Sequence, residues 1–81
     1  MFVYALYNEI VDKIYVGQTN DLDRRIQEHN LKKGNHFTAK FRGEWKLIYS
    51  ESVTTRTEAL KREKQLKTGN GRDFIKQHIP E

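Results

Sequence analysis

Five side chains are of the types that phosphoryl chemistry uses: Tyr4, Tyr15, Arg25, His29 and Glu63. A carboxylate can hold a hard divalent cation, usually Mg²⁺ with several waters retained. An arginine can clamp a pentacovalent phosphate, and a tyrosine can orient or deprotonate water. An unperturbed phenol has a pKa of about 10, so a tyrosine base needs cationic help, from Arg25 or His29 here. Which tyrosine would be the base is open. Each residue also has an ordinary role: tyrosines as core aromatics, Arg25 as a surface charge, His29 as a cation at a helix C-terminus.

Glu63 stands out by its position. It falls on the helix stripe of Ala59, Leu60 and Leu66, ~40° from Ala59 in projection. A buried carboxylate must be paired, protonated or metal-bound. A structural salt bridge to Arg25 and a functional role are both compatible with that placement.

Other chemistries lack their residues. The 81-residue chain has no cysteine, which removes disulfides, thiolate zinc sites and thiol nucleophiles. His29, His36 and His78 are not at ligand spacing for zinc. Gly69-Asn70-Gly71 lacks the strand–helix setting and Lys-Ser/Thr ending of a phosphate loop. No apolar run approaches the ~20 residues of a membrane span, so no membrane association is expected. With 36% hydrophobic residues, residues 1–81 should form one small, soluble, cytoplasmic domain.

Charge is divided unevenly. Residues 1–31 carry three basic and five acidic side chains, whereas residues 32–76 carry twelve basic and five acidic. The basic part suits phosphate. Lys40 and Arg42 flank Phe41 in a basic loop over residues 32–44, a mixture suited to phosphate contact with base stacking. The aromatics could equally anchor that loop to the core. Lys64 and Lys67 extend the basic set along the helix of Glu63.

The elements that must position these residues follow from pattern. Phe2–Tyr7 is apolar on both parities, as a central strand requires, and Ile14–Gly17 reads as its hairpin partner. A loop from Glu9 to Asp12 pairs Asn8 with Lys13, Leu6 with Tyr15 and Tyr4 with Gly17. That register puts both tyrosines on one face. Thr19-Asn20-Asp21 starts a helix reaching His29 or Leu31, with Leu22 and Ile26 inward and Arg25 and His29 at the edge. Trp45–Ser52 alternates as a third strand with Trp45, Leu47 and Tyr49 on one face. Thr55-x-x-Glu58 is a capping box for a helix through about Thr68, which Gly69-Asn70-Gly71 should stop. A last helix or turn spans about Arg72–His78. The expected fold is α+β: a three-stranded antiparallel sheet flanked by helices, in the order β-β-α-β-α-α.

These residues also resemble a family. Tyr15-Val16-Gly17 followed by Leu22, Arg25 and His29 looks like the second half of the GIY-YIG nuclease signature, and Phe2-Val3-Tyr4 stands at its first triplet. The helix EALKREKQLK resembles the segment bearing that family's metal-binding glutamate, at Glu63. The likeness runs from Phe2 to about Lys67. It is greatest to small stand-alone members, similar to the N-terminal module of the bacterial excision-repair nuclease. Two departures are visible: Phe2 and Val3 replace glycine and isoleucine, and the asparagine often found beyond the glutamate helix could only be Asn70, here read as a turn residue.

The resemblance implies metal-dependent cleavage of a nucleic-acid phosphodiester. Tyr4 and Tyr15 would position or activate water, Arg25 would steady the phosphate, and Glu63 would bind Mg²⁺ or Mn²⁺. His29 matches a position often occupied by an active-site histidine. The expected partner is nucleic acid, DNA before RNA, with DNA repair as the setting. Two other readings compete: a non-catalytic nucleic-acid-binding module, and an accessory scaffold whose protein partner supplies targeting.

Overall fold

The computed structural model describes residues 1–31 and 37–80. Lys32, Lys33 and His36 of the basic loop lie outside the described residues. Three strands, β1 (Phe2–Asn8), β2 (Lys13–Thr19) and β3 (Lys46–Ser52), form an antiparallel sheet in the order β2-β1-β3. Three α-helices accompany it: α1 (Leu22–Asn30), α2 (Arg56–Leu66) and α3 (Gly69–Lys76). A short 3₁₀ turn, Phe37–Lys40, precedes β3. The expected α+β order, β-β-α-β-α-α, is the observed one.

β1 is central because both of its faces can be buried. Val3, Tyr4, Ala5 and Leu6 are all out of solvent. Its pairing with β2 follows the expected register: Asn8 opposite Lys13, Leu6 opposite Tyr15, and Tyr4 opposite Gly17. In the hairpin turn, Asp12 takes a left-handed conformation (φ 51°) and accepts a hydrogen bond from the Tyr7 hydroxyl at 2.8 Å.

Alternation along β1 divides the core in two. Val3 and Ala5, with Val16, pack against Ala59 and Leu66 of α2 and Ile75 of α3. Tyr4 and Leu6 pack with Trp45 on the other face, joined by Tyr15, Leu22, Ile26 and Phe41. Leu60, expected on the inward stripe of α2, is 42% exposed.

β3 departs from the expected alternation. Ala5 pairs with Tyr49 but Leu6 pairs with Leu47, so Ile48 is an extra residue in the ladder. Such a bulge reverses which side chains face which layer. Trp45 therefore packs on the Tyr4 side, whereas Tyr49 packs on the side of Val3 and Ala5. The expectation that Trp45, Leu47 and Tyr49 share one face fails for Tyr49. Glu51 then links β3 to α2: it accepts hydrogen bonds from the Tyr49 hydroxyl at 2.7 Å and Arg62 Nε at 2.6 Å.

The helix caps come from the expected segments. Asp21 accepts from Arg24 N–H at 3.2 Å to start α1, and Thr55 accepts from Glu58 N–H at 3.2 Å to start α2. Glu58 reciprocates by accepting from Thr54 N–H at 3.3 Å, one residue before the N-cap. The Gly69-Asn70-Gly71 segment, however, is not the stop of α2. It forms the first turn of α3, capped by Thr68, and Asn70 lies in that helix rather than a turn. Gly71 is needed for contact: a Cβ there would run into the Gln65 carbonyl and Leu66 Cα. Two helices joined by only Lys67 and Thr68 can approach closely there because glycine has no side chain.

Candidate active site

The site is built on the Tyr4 face of the sheet. Tyr4 from β1 and Tyr15 from β2 stand side by side, with ring centroids 6.2 Å apart. Both lean over Gly17. A Cβ at that position would lie 2.8 Å from the Tyr4 hydroxyl and 2.8 Å from Tyr15 Cε2. Glycine thus gives the two phenols the space between the strand and the helix above. Tyr4 is fully buried, whereas Tyr15 is only half-buried.

His29 closes the group from α1. Its Nε2 lies 2.8 Å from the Tyr4 hydroxyl, and its ring centroid lies 4.9 Å from that of Tyr15. The other ring nitrogen, Nδ1, is 2.5 Å from Thr38 Oγ1 in the 3₁₀ turn. His29 is 1% exposed and Thr38 fully buried. The turn is itself held by Trp45, whose Nε1 donates to the Thr38 carbonyl at 3.1 Å. Asn30 fixes the tryptophan backbone, accepting from Trp45 N–H at 2.7 Å and donating to its carbonyl at 3.0 Å. A run of buried polar groups therefore leads from Tyr4 to the base of β3, with hydrogen bonds offsetting their desolvation.

Arg25 and Glu63 bring charge. The Arg25 guanidinium acts on the Tyr4 phenol and pairs with Glu28 at 3.4 Å. Burial pushes the Tyr4 phenol well above its ordinary range; the Arg25 guanidinium opposes this, and Tyr15 and Glu63 add to it. Desolvation wins, so Tyr4 keeps its proton at neutral pH. Glu63 is close enough for its charge to act on Tyr4, and its side chain is 19% exposed. Its carboxylate bonds Lys67 Nζ at 2.9 Å, one helical turn on, rather than Arg25. The alternative of an Arg25–Glu63 salt bridge is thereby corrected: Arg25 is engaged by Tyr4 and Glu28, and Lys67 reaches Glu63 along the same helix.

Residues 1–77 match the GIY-YIG catalytic domain family. The chain belongs to the GIY-YIG family. This is a family of nucleases. The chain is also similar to a UPF0213 protein of Staphylococcus epidermidis, 44% identical over 55 residues that make up 68% of this chain and 66% of the relative. A UPF0213 protein of Staphylococcus aureus is 40% identical over the same share of each chain. The match therefore spans about two thirds of the length of these relatives. Among solved structures, the solution NMR structure of a UPF0213 protein from Bacillus halodurans superposes with a TM-score of 0.55 at 28% identity, covering 94% of this chain and 81% of that one.

In this GIY-YIG domain, Tyr4, Tyr15, Arg25 and His29 come together from β1, β2 and α1, with Glu63 of α2 in electrostatic reach. Lys67 joins through Glu63. Lys40, Arg42 and Lys64 are exposed, and among the described residues no hydrogen bond ties them to the phenols. Phe41 is half-buried against Tyr4, Leu6 and Trp45 and edge-on to the Trp45 ring, so it anchors its loop. Thr38 has no counterpart among the expected site residues. It lies in an aperiodic segment, and only its place between Phe37 and Phe41, both aromatic, hinted that the loop turns inward.

Proposed function

We propose that this GIY-YIG domain hydrolyses nucleic-acid phosphodiester bonds, DNA before RNA, as an endonuclease using Mg²⁺ or Mn²⁺ at Glu63. The observation carrying this reading is the convergence of Tyr4, Tyr15, Arg25 and His29 on one sheet face, with the half-buried Glu63 carboxylate nearby. The family membership supports the same conclusion. DNA repair, a cytoplasmic location and a protein partner for targeting belong to it as further expectations.

The roles follow from access. The Tyr4 hydroxyl is out of solvent and already bonded to His29. Tyr15 is the phenol that water and substrate can reach, so it orients the attacking water. Tyr4, His29 and Thr38 form the rigid backing behind it. Arg25 offers N–H donors to a non-bridging phosphate oxygen, where charge develops in the transition state. The water oxygen bonds to phosphorus, the ester P–O bond breaks, and the departing oxygen leaves as an alcohol.

The donor chemistry fits a hard cation. Among the described residues no three His, Asp or Glu side chains gather into a cage. One carboxylate with water and phosphate oxygens is an ordinary Mg²⁺ arrangement. When bound, the cation supplies charge to the phosphate as a Lewis acid. Lys67 would have to yield Glu63 for this. That engagement also favours the second reading, a non-catalytic binding module in which Lys67 keeps the carboxylate.

Plasmid nicking with Mg²⁺ or Mn²⁺ separates the two. Cleavage is expected to fall by about 100- to 1000-fold in Arg25→Ala, and to be lost in Glu63→Gln. Salt-sensitive binding without turnover in the unsubstituted protein would establish the binding module instead.

A further inference from the structure

Along β2, between the strand and helices α2 and α3, runs an open groove of about 1040 Å³. Four cations line it: Lys13, Lys67, Arg72 and Lys76. The acid among its lining residues, Asp12, is already engaged by the Tyr7 hydroxyl at 2.8 Å. Arg72 and Lys76 lie one turn apart on α3 and are exposed. Among the described residues neither is ion-paired. The apolar floor that solvent reaches is Ile14, Ile79 and the Tyr7 ring, while Val16 and Ile75 are buried in the core. Cations above an apolar floor suit a polyanion that also offers flat hydrophobic faces.

The groove adjoins the candidate active site at two points. Tyr15 belongs to both. Lys67 lines the groove while its ammonium bonds the Glu63 carboxylate. A phosphate chain leaving Glu63 and Tyr15 past the β2 edge would meet Lys67 first, and then the α3 cations.

We propose that this groove binds a single-stranded segment of nucleic acid flanking the bond to be cut, its phosphates on Lys13, Lys67, Arg72 and Lys76 and its bases on the apolar floor. The inference rests on the nuclease reading for its direction and adds the substrate class: an unpaired tail or flap. A duplex stacks its base faces away and offers phosphates alone, so the apolar floor gives it nothing. An acidic peptide would match the charge, but the floor and the continuity with a phosphodiester-cleaving site favour nucleic acid.

The test measures binding in EDTA, so it is independent of cleavage. Fluorescence anisotropy uses a labelled oligothymidylate of about 12 nucleotides, a duplex of the same length, and polyglutamate as competitor. The single strand should bind more tightly than the duplex. The Arg72→Glu/Lys76→Glu variant should weaken single-strand binding by about tenfold or more at low salt. Lys46→Glu, on β3 at the opposite sheet edge, should change it by less than about twofold. In the unsubstituted protein, NMR shift changes on adding the oligonucleotide should centre on residues 13–16 and 72–79. Equal loss for duplex and single strand, efficient competition by polyglutamate, or shifts elsewhere would overturn the inference. Loss of plasmid nicking with the binding pattern intact would instead count against the nuclease reading alone.

Discussion

The two faces of one strand are held in opposite ways. Val3 and Ala5 of β1 look into a layer made by shape: Ala59, Leu66 and Ile75 fill it, and Gly71 lets α3 close on α2. Tyr4 and Leu6, their immediate neighbours, look into a layer made by hydrogen bonds through His29, Thr38, Trp45 and Asn30. Packing tolerates small shifts in rotamer and register, whereas a chain of buried polar groups fixes orientation. The face that carries Tyr4, Tyr15 and Arg25 is the one built from directional bonds. The other supplies the burial that keeps a small domain folded.

Cutting into the packed layer should have the largest effect. Val3→Ala, in that layer but outside the groove, is expected to cost about 2–3 kcal/mol of stability, read by urea denaturation, while cleavage per folded molecule stays unchanged. If cleavage per folded molecule falls as well, the two faces are not separable.

The polar layer should respond less in stability and more in activity. Thr38→Val keeps the volume but leaves His29 Nδ1 without its hydroxyl partner, at a cost of about 1–3 kcal/mol. Cleavage should drop by more than the folded fraction does, and Thr38→Ser should restore both. A Thr38→Val protein with full activity would make the turn a structural strut only.

A smaller effect should separate the faces at high pH. The pKa of Tyr4 is raised in the folded protein above its ordinary value near 10. The unfolded chain then releases this proton first as the solution becomes alkaline. The contribution of neutral Tyr4 is complete below about pH 10 and declines as pH rises through the folded value. Tyr4→Phe should therefore destabilise less at pH ~11 than at pH ~9, measured by chemical denaturation. An equal difference at both pH values would show that Tyr4 ionises normally.

Much of this arrangement is legible in the sequence, where a local rule decides. The hairpin register follows from a short loop between apolar runs, and it alone puts Tyr4 opposite Gly17. Glu63 stands out because a carboxylate on an inward stripe contradicts helical patterning. What could not be read depends on contacts between distant segments. The Ile48 bulge leaves no mark in the alternation of Trp45, Leu47 and Tyr49. Two glycines around Asn70 look like a helix stop, yet Gly71 serves helix–helix contact. Thr38 becomes significant only when its turn folds over His29, nine residues back.

The bulge at Ile48 has a consequence beyond the core. β3 is an edge of the sheet, and a regular edge offers a row of unpaired N–H and C=O groups on which another chain can polymerise. An extra residue breaks the spacing of that row and twists the strand locally. The irregularity that turns Tyr49 toward the helices thus also works against self-association at β3. Removing Ile48 would leave Leu6–Leu47 and Ala5–Tyr49 as consecutive pairs of a straight ladder, with Tyr49 still in its layer, and a better template for aggregation.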